Sequence, residues 1–160
     1  MQAVIITVFG KILRVEMVPG VHWMPPLMVE KHFVNLAINT MQVKGSSVPD
    51  SNGSPMTVST IVNYIINDPV AAVYSVENLY TFIHTQAYDV VRRICGKFRY
   101  ISNDPAEITL LNDGHHICGH MKQLLQKRCE IAGVTILRMD FIDIAYHTEI
   151  AAQLLQVQQA

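Results

Sequence analysis

The sequence predicts an α+β fold: an N-terminal antiparallel β-meander, helices packed on that sheet, a late strand that rejoins it, and the start of a long helix. Three observations carry this. Over residues 1–67 the apolar side chains fall in short β-branched runs with a period near two, as in half-buried strands. At Asn67-Asp68-Pro69 the period lengthens to three and four residues, as in amphipathic helices. After two helical stretches, Val134 to Ile144 is β-branched again, and a strand in that place can return to the sheet. One domain is expected over 1–145, with a β-rich lobe at about 1–67 and a helix-rich lobe at about 68–145. Residues 146–160 open a C-terminal helix.

The strands come first. Ala3 to Phe9 is short and β-branched, and Gly10-Lys11 turns it into Ile12 to Met17. Pro19-Gly20 marks a turn. Val21 to Leu27 is an apolar loop, kept out of any central strand by Pro25 and Pro26. Phe33 to Val43 alternates loosely as one strand. Ser46 to Pro55, with Asn52-Gly53 at its tip, reads as a hairpin loop. Met56 to Ile66 alternates strongly, placing Val58, Thr60, Val62, Tyr64 and Ile66 on one face.

The helices follow. Asp68 caps and Pro69 opens a short helix through Tyr74. Glu77 or Asn78 opens a longer one to about Cys95, with Gly96 as its stop. Asp104-Pro105-Ala106-Glu107 has the form of a capping box, so a third helix is expected from there to about Ala132. In the strand from Val134 to Ile144, alternation puts Leu137, Met139 and Phe141 on one face and Arg138 and Asp140 on the other. Thr148 to Ala160 is Ala- and Gln-rich, and Ile150, Leu154 and Val157 form a narrow apolar stripe.

Half of the residues are apolar and 16% are charged, against a usual charged fraction of about 25%. Such a chain is too apolar for a disordered tail. Its net charge of -1 lacks the basic excess of a nucleic-acid module, so no nucleic-acid partner is expected. A spanning helix needs roughly 18 apolar residues in a row, and no such run is present. Cys95, Cys118 and Cys129 lack CxxC spacing and read as reduced thiols. Asn52-Gly53-Ser54 fits a glycosylation sequon, but Pro55 follows it. After a span from Gly45 to Val91 without Lys or Arg, Arg92, Arg93, Lys97 and Arg99 arrive together. They read as cations at a helix C-terminus, or as a patch for anionic lipid or an acidic partner.

Reactive chemistry has few candidates. His116 and His120 share a helix face, and Asp113 precedes His116 by one turn, so this trio is the one arrangement suited to a transition metal. Ile117 stands where zinc hydrolases carry a general-base Glu, and the simpler reading is a His-rich exposed face with no metal or cofactor. No nucleophile signature surrounds any cysteine. Asp140 and Asp143 are expected on opposite faces of their strand, which makes them poor acid–base partners. Trp23 reads either as a core residue or, with Met24 and Leu27 beside it, as a membrane-interface anchor.

Four stretches in register resemble the SPFH (Band 7, prohibitin-homology) domain. Val8-Phe9-Gly10-Lys11 followed by Pro19-Gly20-Val21-His22-Trp23-Met24-Pro25-Pro26 is similar to its opening. Gly53 to Val58 and Ile61 to Tyr74 resemble its "DG-P-V-V, then Y-x-V-x-DP-x-A" pattern, and Gly133 to Ile144 its "GI-V-x-V-x-I-x-DI" strand. Glu149-Ile150-Ala151-Ala152 and Gln158-Gln159-Ala160 are similar to the start of the long helix that follows the domain in stomatin-like members. Thr148 replaces the usual proline before that helix, and the loop before Met56 is expanded.

The resemblance implies a non-enzymatic scaffold of stomatin, prohibitin or flotillin type. Such a scaffold lies on the cytosolic or matrix face of a membrane, peripherally or through an anchor outside this chain. It self-associates into rings or cages and organises lipid microdomains or regulates membrane channels and proteases. The expected lipid contact is Val21, Trp23, Met24 and Leu27, and the expected oligomerisation stripe is Ile150, Leu154 and Val157, an incipient coiled coil. The alternatives are an assembly module of a soluble protein shell and a metal-binding domain.

Overall fold

The computed structural model describes residues 1–24, 26 and 28–146. Leu27 and the stripe of Ile150, Leu154 and Val157 lie outside the described residues, and with them the expected C-terminal helix. The fold is α+β, with two antiparallel three-stranded sheets. In the first, β1 (Gln2–Val8) lies between β2 (Lys11–Glu16) and β3 (Val29–Asn35). In the second, β5 (Pro55–Ile66) lies between β4 (Asn39–Pro49) and the late strand β6 (Val134–Tyr146). Between β5 and β6 run α1 (Pro69–Tyr74), α2 (Leu79–Cys95), α3 (Gly114–Cys129) and a short 3-10 turn, Glu130–Ala132.

Strong alternation makes β5 the central strand. Met56, Val58, Thr60, Val62 and Tyr64 are all buried, against α2 and α3. Asn78 caps α2 by accepting the Thr81 amide at 2.9 Å, and the helix buries Ile83, Ala87, Val90, Val91 and Ile94. Each large apolar side chain so buried contributes about 1.5–3 kcal/mol. A smaller cluster of Ala3, Ile5 and Val34 packs against Val70 and Val73 of α1 and against Ile66. Asp68 caps α1 through the Val70 and Ala71 amides, as expected.

Five expectations need correction. The turn after β1 is Phe9-Gly10, one residue early, because both residues take the left-handed backbone that a two-residue hairpin requires. Phe33 to Val43 is two strands in two sheets, split at Leu36 to Ile38, where the Asn35 side chain takes the Ala37 amide and starts a turn. The hairpin loop is Asp50 to Ser54 rather than Ser46 to Pro55. A bulge at Lys44-Gly45 keeps β4 paired as far as Pro49, and Asp50 accepts the Asn52 and Ser54 amides to close the turn.

The third helix starts at Gly114, ten residues later than Asp104. Asp104 takes the Ala106 amide, Thr109 the Asn112 amide and Asp113 the Thr109 amide. The Leu110 and Leu111 amides are drawn to the carbonyls of Arg99 and Tyr100. Local polar side chains thus compete successfully with the helix. The fifth correction concerns β6. Its register slips at Leu137 and at Ile142, so Leu137 faces solvent while Ile136 is buried. Asp143 then pairs with Ser59 and Asp140 with Ile61, which places the two carboxylates on the same face.

Two substitutions test this packing. Gly133 has φ +66°, and a Cβ there would lie 2.7 Å from the Asp68 carbonyl, so Gly133→Ala should lose about 2 kcal/mol or more in urea unfolding. Thr60 is fully buried and its hydroxyl has no hydrogen-bond partner among the described residues. Thr60→Val should therefore raise stability by about 1 kcal/mol in the same assay.

Candidate functional site

The first sheet sets up the most exposed apolar surface. Since β2 and β3 both run antiparallel to β1, the chain between them crosses β1 from one end of the sheet to the other. The crossing is held by polar contacts. Arg14, opposite Ile6 on β1, donates to the Trp23 carbonyl at 2.8 Å and pairs with Glu16. Glu16 lies 3.4 Å from His22, whose other ring nitrogen is 2.9 Å from the Val18 carbonyl. With its backbone pinned, the crossing turns Val21 (104% exposed) and Trp23 (81%) outward, while Met24 is half-buried. Trp23 is thus no core residue.

Sequence reasoning missed two further exposed apolar residues of the first sheet. Phe9, at φ +51°, is 79% exposed at the hairpin tip, and Met28, at φ +55°, is exposed where β3 begins beside it. Both line a small hollow with Gly10 and Val29. The Phe9-Gly10 pair between two strands is the one sequence signal for this tip. A bulky residue in the left-handed region is strained, and such strain is concentrated at functional positions.

The expected basic patch is divided. Arg93 lies 3.7 Å from Asp89, and Arg99 lies 3.5 Å from Glu107. Arg128 of α3 also reaches Asp89, and its hydrogen bond holds that carboxyl below the usual carboxylate range. Arg92 and Lys97 are exposed. The surface therefore mixes both signs.

The histidine trio does not converge. His116 and His120 stack edge to face with ring centroids 4.9 Å apart, but Asp113 precedes the helix and turns its carboxylate onto the Thr109 amide. Among the described residues no group of three or more His, Cys, Asp or Glu is placed to hold a metal ion. All three cysteines are buried and free. Burial pushes the Cys95 thiol up to about 12 and the Cys129 thiol up to about 11, and raises that of Cys118. None is a ready nucleophile at neutral pH.

A groove of about 430 Å³ runs beside β6, between Tyr100, Leu111, Cys118, Ile142 and Asp143. Its floor is the strand edge. The Phe141 amide donates to the Cys118 sulfur, and further back Gln126 of α3 gives its amide hydrogen to the Val134 carbonyl and accepts from the Ile136 amide at 2.6 Å. No helix among the described residues is long and apolar enough to cross a membrane.

A family model described as SPFH domain / Band 7 family matches residues 1–160. No curated protein matches the chain.

The burial of the thiols has a direct readout. At pH 8, below the raised values of Cys95 and Cys129, both should stay unlabelled by iodoacetamide in the folded protein and label fully in urea, as read by mass spectrometry.

Proposed function

As the chain belongs to the SPFH domain / Band 7 family, matched across all 160 residues, we propose that it is a membrane-associated scaffold. In this reading it works by docking and self-assembly rather than catalysis. It sits on the cytosolic or matrix face of a membrane, and its assemblies organise lipids or present channels and proteases to one another.

One observation supports this reading most. The exposed large apolar side chains of the described residues are concentrated in residues 1–38, with Val21, Trp23, Phe9 and Met28 among the most exposed. Exposed apolar side chains gathered in one part of a fold fit a protein or membrane contact. Two details favour the membrane. The carbonyls of Val18 and Trp23 already have partners, so the crossing enters a leaflet with fewer unsatisfied backbone groups. Lys31, on the strand that follows Met28, is exposed and suits anionic headgroups.

Trp23 is the only tryptophan, so its emission reports the loop. It should shift to the blue on adding vesicles with anionic lipid, and Trp23→Ala with Val21→Ser should cut vesicle partitioning about tenfold, the worth of one large apolar side chain. Unchanged emission and unchanged flotation would remove lipid as the occupant of this surface. Assembly that is equally strong with and without vesicles would instead favour the module of a soluble shell.

A further inference from the structure

The outer edge of β2 has no strand partner among the described residues, and neither has that of β6. The two edges match. In β2 the register slips so that Ile12 pairs with Thr7 and Arg14 with Ile6, leaving Leu13 as the extra residue. In β6 Phe141 pairs with Thr60 and Asp143 with Ser59, leaving Ile142 as the extra residue. Charges three apart in a regular strand point to opposite faces. Here each bulge brings them to one face: Lys11 with Arg14 on β2, and Asp140 with Asp143 on β6. One edge is basic with exposed Ile12 and Leu13 between its charges, and the other is acidic with Phe141 and Ile142 between them.

We infer that β2 of one copy seats against β6 of the next, with Lys11 facing Asp143 and Ile12 and Leu13 covering the groove between Leu111 and Ile142. The inference rests on the self-association part of the proposed function and names its interface and partner, a second copy of this chain. Arg14 already pairs with Glu16, and Asp140 with Arg138. Lys11 and Asp143 have no ion pair among the described residues, so they carry the intermolecular contact. Side chains of α3 cap the β6 edge only as far as Phe141, which leaves the strand beyond it able to bond a neighbouring edge. Lysine and a bulge on an edge strand repel a second copy of the same edge. The same lysine attracts an acidic edge, so the pairing is selective. Contact between two different surfaces propagates head to tail and closes into a ring when the rotation per copy allows.

The test is a charge swap in the full chain, read by light-scattering mass across a concentration series. Lys11→Asp and Asp143→Lys should each weaken association about tenfold or more. The double variant should restore it, as should mixing the two single variants. Added salt should weaken the wild type. If the wild type assembles and both single variants assemble equally well, this interface is wrong and self-association proceeds elsewhere. A wild type that stays monomeric with and without anionic vesicles removes self-association itself.

Discussion

Much of this architecture depends on how closely Gly133 approaches Asp68. The Gly133 carbonyl accepts the amides of both Asn67 and Asp68, at 2.9 and 3.1 Å. At that one point the end of β5, the start of α1 and the start of β6 are fixed together. Asp68 is at the same time the cap of α1, so it sets the direction of that helix. Because α1 carries Val70 and Val73 into the cluster of the first sheet, the contact also determines where that sheet sits. Only glycine fits, since its backbone is left-handed and a Cβ would meet Asp68 and Ala71.

This dependence explains why some of the fold was legible in the sequence. Asp68-Pro69, the alternation of Met56 to Ile66 and the apolar face of Leu79 to Cys95 are each local signals, and the structure agrees with them. The misread parts have non-local causes. Asp104-Pro105 has the composition of a helix start, but the backbone of Leu110 and Leu111 is claimed by Arg99 and Tyr100. The faces of β6 follow its pairing with β5, and no periodicity within residues 134–144 reveals where a bulge falls. For the same reason Asp140 and Asp143 read as opposed when they share a face.

The candidate surfaces divide in the same way. Trp23 and Val21 could be named from composition, because an apolar run broken by two prolines has few places to go. Phe9 and Met28 could not, since their exposure results from a turn geometry and from strand order. The basic residues Arg92, Arg93, Lys97 and Arg99 were visible as a cluster, but Asp89 and Glu107, which divide it, come from the adjacent turn of the same helix and from the far side of the connection that follows it. Family membership, matched over the whole chain, says what kind of molecule this is. The side chains named above indicate where that kind of molecule would make contact.

The capping of the β6 edge by α3 bears on how the chain reaches this state. Gln126 and Cys118 precede β6 in the sequence, so on a ribosome the cover is made before the edge that it protects. β5, by contrast, must wait for its second partner, which emerges much later in the chain, as the pairing of Ile66 with Val134 and of Met56 with Tyr146 requires. Pairing over such a separation is slow, and an apolar central strand left half-paired is prone to aggregate. The helices that emerge in the interval lie on the buried face of β5 in the finished protein. They are therefore made before the second partner of β5, and in the finished protein they form its core.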